Sequence, residues 1–169
     1  MKSVAATALV AVCAVVLAEQ RVGRPERAET APIGLIRAIV SAESAYATMY
    51  GYYDTLECLA TLTCTPGVRA GGSLLDRELA VTRTRGGYRF ELHAGPPRRF
   101  DTTVSGSPTA MTQFAVVAVP ERPDRTRRAF CADDRGVIYV TRAGDDPEVA
   151  EGRCVDTNQT VGSPSFAPR

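Results

Sequence analysis

One stretch of the chain has apolar residues at intervals of three and four positions. These apolar positions are Leu35, Ile39, Ala42, Tyr46, Met49 and Tyr53. Polar residues occupy the opposite face of a helical projection, at Arg37, Ser41, Ser44 and Thr48. Such a pattern predicts a one-sided α-helix whose apolar face is buried. We expect this helix to be capped by Thr30, to carry Pro32 in its first turn and to end at Gly51.

After this helix the apolar pattern shortens and then changes its period. SLLDRELAVTRT, residues 73–84, has helical spacing behind a capping serine and predicts a short second helix. GYRFELH alternates between apolar and polar residues, with Tyr88, Phe90 and Leu92 on one face, and predicts a half-buried strand. QFAVVAVP, residues 113–120, is apolar on both faces and predicts a central strand.

Two short runs near the C-terminus predict a hairpin. They extend from Arg128 to Ala132 and from Val137 to Thr141, and the residues DDRG join them. The glycine of this turn, Gly136, is expected in the left-handed position. The whole pattern predicts an α+β fold in which an N-terminal amphipathic helix packs on a three- to four-stranded antiparallel sheet.

The start of the chain has the features of an export signal. Lys2 is followed by an apolar run from Val4 to Leu17, and the first acidic residue is Glu19. The run is shorter than the ~20 residues that a membrane-spanning helix needs, and Ala18 suits signal-peptidase cleavage. We therefore predict a signal peptide over residues 1–18, a polar linker over residues 19–30, a globular domain over residues 31–156 and a flexible tail over residues 157–169. The mature chain is expected to be periplasmic or extracellular, without a membrane span.

Cysteine usage fits an exported protein. Cys13 lies inside the apolar run and is lost with the signal, which leaves Cys58, Cys64, Cys131 and Cys154. An even number of cysteines in an oxidising compartment predicts disulfides. Among the three connectivities, the spacing favours Cys58 with Cys64 and Cys131 with Cys154, so that a disulfide ties the C-terminal loop to the sheet. A four-thiolate zinc site is the rival interpretation, but paired C-x-x-C spacing is missing.

Composition describes an ordinary globular chain and argues against nucleic-acid binding. The 169 residues carry a formal net charge of +1, and 44% of them are hydrophobic. The densest basic group is interleaved with Glu121 and Asp124, and it consists of Arg122, Arg125, Arg127 and Arg128. Because the acids partly cancel the local field, we interpret this group as a solvated loop and expect no nucleic-acid partner.

Candidate catalytic residues are few. His93 is the only histidine and falls on the polar side of the predicted strand GYRFELH. The nucleophile motif G-x-S-x-G does not occur in the sequence, and the cysteines are assigned to disulfides. We therefore interpret His93 as an exposed strand residue and expect the protein not to be an enzyme.

Two groups of residues resemble one known family. The run IGLIRAIVSAESAYATMYG, residues 33–51, looks like the second half of the long helix in type IV pilins and type II secretion pseudopilins. FAVVAVP followed by RAFCADDRGVIYVT is similar to the sheet of the same group. The resemblance spans residues 33–154 and implies a pilin-like fold, in which the helix lies on the protein's own sheet.

The resemblance does not include the family's N-terminal segment, which is a short basic leader followed by G-F-T-L-I-E and a long apolar run. Ala18, Glu19 and the predicted linker stand in that place here. In the family, this apolar half-helix packs the subunits into a filament. We therefore expect a non-enzymatic structural or interaction protein that is accessory to a type IV pilus or type II secretion system. Its partners are expected to be proteins of that filament or machine.

The resemblance also implies a metal site, because major pseudopilins bind calcium near their C-terminal loop. The acids in that region of this chain are Asp145, Asp146 and Glu148. They do not form the ligand string of an EF-hand, so a solvated acidic loop is the alternative. No cofactor other than calcium is expected.

A second functional interpretation is a free extracytoplasmic module that reuses the pilin sheet to bind a small ligand or glycan. Its candidate contacts are aromatic, namely Tyr46, Tyr50, Tyr52 and Tyr53. Tyrosines at helical spacing usually pack between a helix and a sheet. Tyrosines that lie exposed in a row would favour the ligand-binding module over the structural protein.

Overall fold

The computed structural model describes residues 24–64, 66–67, 72–101, 106–122, 125–155 and 161. Its helices are α1 (Arg24–Tyr50), α2 (Leu56–Thr61) and α3 (Arg77–Thr82). Its strands are β1 (Thr84–Arg85), β2 (Tyr88–Ala94), β3 (Phe114–Pro120), β4 (Phe130–Asp133), β5 (Ile138–Val140), β6 (Val149–Ala150) and β7 (Arg153–Cys154). The predicted signal peptide, residues 1–18, lies outside the described residues.

Strands β1 to β5 form one antiparallel sheet in which neighbours along the chain are neighbours in space. Strands β6 and β7 form a separate pair. The predicted α+β class with an antiparallel sheet is confirmed, but the sheet has five strands rather than three or four. The strand that the sequence pattern missed is β1. It pairs with β2 across Gly86 and Gly87, whose positive φ angles of 64° and 75° suit a two-residue hairpin turn.

The long helix α1 packs across β3 and β4. Ile36, Ile39 and Tyr46 on its inner face have no exposed surface. Ser41 and Ser44 on the other side of the helix are exposed. The helix is therefore one-sided along this part of its length, and its apolar face lies on the two central strands of the sheet.

The buried stripe of α1 differs from the predicted one at particular positions. Met49 was placed on the inner face, but its side chain is 51% exposed. The fully buried residues instead keep a spacing of three and four positions through Ile36, Ile39, Glu43 and Tyr46. Met49 lies at the margin of this stripe. An acidic residue, Glu43, therefore occupies a central position on the helix face that was predicted to be apolar.

Helix α1 begins at Arg24, within residues 19–30 that the sequence analysis assigned to a linker. The predicted linker contained Pro25, which is tolerated because the first turn of a helix has no intrahelical acceptor for its N–H groups. Glu29 of this first part accepts a hydrogen bond from the Arg128 side chain at 2.9 Å. This contact joins the N-terminal part of the helix to a residue far along the chain, and no local pattern signals it.

One residue of the predicted flexible tail is described. The backbone N–H of Val161 donates to the carbonyl of Ile138 at 2.8 Å, and its side chain packs against the main core. The chain at residue 161 therefore lies beside β5. The other residues of the predicted tail, from residue 157 to residue 169, lie outside the described part of the chain.

Two short helices follow α1. The sequence analysis did not predict helix α2, and the hydroxyl of Thr55 caps it by accepting from the Cys58 N–H at 3.3 Å. Helix α3 falls within the predicted residues 73–84. Its cap is Asp76, which accepts from the Leu79 N–H at 2.9 Å, and not Ser73 as predicted.

Strand β3 is buried on both of its faces, as the sequence predicted for a central strand. Phe114 and Val116 belong to the main core under α1. Ala115 and Val117 belong to a second cluster on the opposite face, which includes the sulfurs of the Cys131–Cys154 disulfide. The α1 helix covers one face of the sheet, and the β6–β7 hairpin covers part of the other.

Both predicted disulfides, Cys58–Cys64 and Cys131–Cys154, are present. They indicate that the protein folds in an oxidising, extracytoplasmic environment. Within the described ranges, no helix combines the length and the apolar character that crossing a membrane requires.

The buried face of α1 can be tested with a charge. Ile39→Asp is expected to lower the free energy of unfolding by several kcal/mol, because the position has no exposed surface and an unpaired carboxylate would be buried there. Ser41→Asp, on the exposed side of the same helix, is the matched control and should be nearly neutral. Urea unfolding followed by circular dichroism measures both variants. Equal effects would show that α1 does not bury the Ile39 face.

The two disulfides should contribute unequally to stability. Cys131 and Cys154 are separated by 23 positions, and for a loop of this size the chain-entropy model gives about 3 kcal/mol. Cys58 and Cys64 are separated by 6 positions, for which the same model gives about 2 kcal/mol. Double replacement of each pair by alanine, with urea unfolding as the measurement, is expected to follow this order. A larger loss for the short loop would mean that packing around the sulfurs outweighs chain entropy.

Candidate functional site

The C-terminal hairpin is attached to the sheet by a buried acid as well as by sulfur. Asp133 has no exposed surface, and its Oδ2 accepts a hydrogen bond from the Cys154 N–H at 3.2 Å. The Arg135 guanidinium donates to both Asp133 oxygens at 2.7 to 3.1 Å and to the Cys154 carbonyl at 3.3 Å. It also lies over the Tyr139 ring, 5.5 Å from the centroid. Strand β7 is thereby bound to the β4–β5 hairpin.

The next acid in the same turn makes a second attachment. Asp134 lies 3.4 Å from the Arg153 guanidinium, whose Nε donates to the Gln113 side chain at 2.6 Å. The sequence analysis interpreted Asp133 and Asp134 as ordinary turn residues and missed both contacts. The short spacing between Asp133 and Arg135 in the sequence could have indicated their ion pair. No neighbouring residue indicated that Asp134 pairs with Arg153.

The acids proposed for calcium lie on the surface of the C-terminal loop, and all three of Asp145, Asp146 and Glu148 are exposed. The backbone carbonyl of Asp145 accepts from the Thr141 hydroxyl at 2.8 Å. In the described part of the chain, these acids join no group of three or more side chains whose ligand atoms all lie within 4.8 Å of one another. The calcium site stays a prediction.

Asp145 and Asp146 line a cleft of about 440 Å³ next to the end of β3. The opposite charges in the same walls come from Arg89, Arg125 and Arg127. Because acids and arginines share the cleft, its charge is mixed and it has no strongly basic surface. The cleft is large enough for a small polar molecule.

The predicted arginine-rich loop takes part in structural contacts. Arg128 is bound to Glu29 of α1 through its side chain, and its backbone N–H lies 3.4 Å from Glu29 Oε1. Arg127 lies over the ring of Tyr88, with 5.9 Å between the guanidinium carbon and the ring centroid. The interpretation of a purely solvated loop is therefore wrong for these two residues.

A network of polar side chains is buried where α1 meets the loop that follows it. Asp54 has no exposed surface. Its Oδ1 accepts from the Thr55 N–H at 2.8 Å and from the Thr109 hydroxyl at 2.5 Å, and its Oδ2 accepts from the Tyr46 hydroxyl at 3.2 Å. Glu43 is equally buried, and its Oε2 accepts from the Asp54 N–H at 3.3 Å. Glu43 Oε1 has no hydrogen-bond partner among the described residues.

Burial raises the pKa of the Glu43 carboxyl to about 8. The hydrogen bond from the Asp54 N–H lowers this pKa, while the charge of Asp54 raises it further. The sequence analysis did not select Glu43, although its position was informative. It stands four positions after Ile39 and three before Tyr46, and so lies on the buried stripe.

The tyrosines near the end of α1 pack on one another. The rings of Tyr46 and Tyr52 are buried, and their centroids are 5.8 Å apart. Tyr50 lies 4.5 Å from Tyr46, and Phe100 lies 5.2 Å from Tyr52. Tyr46 and Tyr52 therefore contribute to the core, and the four tyrosines do not form an exposed row.

His93 lies on β2, partly exposed, opposite Ala115 of β3. Its Nε2 is 3.7 Å from a carboxylate oxygen of Glu91, which is the neighbouring residue on the same face of the strand. An exposed pair of this kind contributes at most a weak ionic contact when the imidazole is protonated. This position agrees with the interpretation of His93 as a strand-surface residue.

The carboxylate of Asp54 also lies within 4.8 Å of the sulfurs of Cys58 and Cys64. Those sulfurs are bonded to each other, so they offer no thiolate to a metal. The Thr55 hydroxyl donates to the Cys58 sulfur at 3.1 Å. We assign Asp54 to the hydrogen-bond network of the core, which lies directly beside this disulfide.

Comparison with known protein families, with curated proteins and with solved structures finds no match for this chain. Function is therefore inferred from the chain's own residues and contacts. The resemblance of residues 33–154 to pilins and pseudopilins stays a prediction.

The buried network around Asp54 should be a major contributor to stability. Asp54→Ala removes the acceptor of three hydrogen bonds and is expected to lower the free energy of unfolding by several kcal/mol, because buried donors are left unpaired. Asp76→Ala removes the exposed cap of α3 together with a surface ion pair to Arg85, and it should cost about 1 kcal/mol. Urea unfolding compares the two. A loss for Asp54→Ala no larger than that of the control would mean that the network adds little.

Proposed function

We propose that this protein is a non-enzymatic, exported interaction protein of the pilin or pseudopilin type, accessory to a type IV pilus or type II secretion system. The observation that carries the proposal is one long helix laid across the centre of an antiparallel sheet, with a disulfide-tied hairpin on the opposite face. The segments that resemble the family, residues 33–51 and 114–141, supply most of the helix and strands β3, β4 and β5 of this arrangement.

The C-terminal hairpin β6–β7 is the surface that we propose for docking. It is fixed to the sheet by the Cys131–Cys154 disulfide and by the Asp133–Arg135 pair. Its turn also lies against the residue that follows β2, since a Cβ added at Gly152 would come within 2.5 Å of the Gly95 backbone. A surface that is already held in one conformation loses little entropy when a partner binds. This property suits an accessory subunit that is recognised by a filament or a secretion machine.

The proposed location is the periplasm or the cell surface. The two disulfides support a site outside the cytoplasm. The sequence of residues 1–18 adds an export signal to this argument. The proposed partners are protein subunits, because the described surface has mixed charge around the arginine-containing cleft.

The second candidate function is a free ligand-binding module, and the cleft of about 440 Å³ beside Asp145 and Asp146 is the feature that favours it. A site there would recognise a polar molecule that carries both charges, because arginines and acids line the same walls. The tyrosine cluster does not support this candidate, since Tyr46 and Tyr52 are buried.

The exported chain from Glu19 onward is expected to be a monomer or weak dimer that does not polymerise on its own. Burying its first residues in a filament core would carry a large desolvation cost, because this segment contains Glu19, Arg21, Arg24, Glu26, Arg27 and Glu29. Sedimentation velocity and negative-stain electron microscopy of the purified chain measure its assembly. Ordered filaments of the purified chain alone would contradict the accessory role.

Docking is tested by co-sedimentation of the same chain with pili or pseudopili isolated from the source cells. The chain should remain in the supernatant alone and enter the pellet with the filaments. Replacing Cys131 and Cys154 by alanine should reduce pelleting, because the hairpin is released, whereas replacing Cys58 and Cys64 should not. If the chain stays in the supernatant with every filament preparation, the proposed docking on filaments is wrong.

A further inference from the structure

Glu43 and Asp54 place two carboxyl groups in the core at one junction. Neither side chain has exposed surface, and neither forms an ion pair with another described residue. They are joined directly, since the backbone N–H of Asp54 donates to Glu43 Oε2. Two negative charges buried side by side without a cation would destabilise a fold strongly. One of the two groups is therefore expected to hold a proton.

The hydrogen bonds indicate which group holds it. Asp54 accepts from three donors, which are the Thr55 N–H and the hydroxyls of Thr109 and Tyr46. Glu43 accepts from one donor, and its Oε1 meets none among the described residues. Donors stabilise the charged form of a carboxyl group. The single negative charge of the pair is thus favoured on Asp54 and the proton on Glu43.

We propose that Glu43 and Asp54 form a proton-dependent brace between α1 and the loop that follows it, so that the folded chain keeps a proton on Glu43 and loses stability when that proton is released. The brace joins the middle of α1 to the residue that precedes the cap of α2. Asp54, the second carboxyl group of the brace, also lies beside the Cys58–Cys64 disulfide.

The direction of the effect follows from the two states of Glu43. In the unfolded chain the group has the ordinary carboxyl pKa of 4.5, and in the fold burial raises its pKa to about 8. The stabilisation is fully present below pH 4.5 and is lost as the pH rises to about 8. Over this window the folded chain binds one proton more than the unfolded chain.

Other ionisable groups lie close to the brace. Tyr46 lies on the same helix and is bound to Asp54. Tyr53 is next to Asp54 in the loop. Burial is the largest cause of its raised pKa, and the negative charges of Asp134 and Glu43 raise this pKa further. Arg153 of β7 lowers the pKa of Tyr53 and is bound to Asp134. Ionisation of Tyr53 therefore falls above the ordinary tyrosine pKa of 10.0, outside the window of Glu43.

Two further acids, Asp133 and Glu57, are each paired with an arginine. Asp133 of β4 is buried but is bound by the guanidinium of Arg135. On α2, the exposed Glu57 is paired with Arg83 at 2.7 Å, and its pKa is lowered. Lowered pKa values make stability rise with pH, opposite in sign to the effect of Glu43.

The decisive experiment compares the full chain with Glu43→Gln, which imitates the protonated carboxyl. Urea unfolding is measured from about pH 5 to about pH 8, where a one-proton difference raises the unfolding constant about tenfold per pH unit. The wild-type chain is expected to show this rise relative to Glu43→Gln. Glu121→Gln removes an exposed carboxyl and is the control, which should follow the wild-type curve. Parallel curves for the wild type and Glu43→Gln would overturn the proposal.

A direct titration keeps the proposal testable if Glu43→Gln does not fold. The side-chain carboxyl carbon of Glu43 is followed by ¹³C NMR in the folded wild-type chain, together with the amide proton of Asp54, which donates to Glu43. Both signals are expected to shift together with a midpoint near 8. A midpoint near 4.5 would show that the folded chain does not retain the proton, and the brace would then be wrong.

Discussion

The contact between α1 and the two central strands is the one on which the rest of the structure depends. Ile36, Ile39 and Tyr46 lose all their exposed surface against a core that contains Phe114 and Phe130. Burial of apolar surface contributes about 25 cal/mol per Å², so a set of large side chains outweighs any single polar contact described here. Because α1 covers only one face of β3, the apolar residues on its other face need a second cover, and the β6–β7 hairpin supplies part of it.

Charged groups lie at the junctions between elements. Glu29 binds Arg128 in the first part of α1, and Asp133 binds Arg135 where the C-terminal hairpin meets the sheet. Asp54 accepts hydrogen bonds in the loop after α1. Apolar packing is tolerant of small shifts, whereas a buried carboxylate must meet its donors at hydrogen-bond distance. These groups therefore specify how the helix, the loop and the hairpin are placed on a sheet that hydrophobic burial alone would hold less uniquely.

The same arrangement bears on function. Two disulfides are typical of an extracytoplasmic protein, and one of them fixes a C-terminal hairpin whose turn touches Gly95, directly after β2. Outside the cytoplasm the pH is less tightly controlled, so a buried carboxyl pair links the stability of the domain to its surroundings. The interaction function that we propose would gain from a docking hairpin that is already held in one conformation. The proton on Glu43 would then set the pH range in which the helix and the loop remain firmly joined.

The sequence by itself determined the elements whose signals are local. The alternation in β2, the apolar character of β3, the turn ending at Gly136 and the two disulfides all follow from neighbouring residues, from cysteine spacing and from the compartment that the predicted signal would imply. These features depend mainly on residues that are close together in the sequence. The adjacent glycines Gly86 and Gly87 indicated a hairpin turn after β1. The sequence analysis missed this strand because it assigned residues 73–84 to a helix.

Only the tertiary structure decided where α1 begins, which of its residues are buried and what the acids do. Glu29 of α1 is bound by Arg128, Glu43 accepts from the Asp54 N–H, and Asp133 accepts from the Cys154 N–H. The partners in the first and last of these pairs are distant along the chain. In a sequence pattern, a polar residue is interpreted as exposed to solvent unless its hydrogen-bond or ion-pair partner is known. The pairing of buried charges is a long-range property, because it is created when the helix and the hairpin close on opposite faces of the sheet.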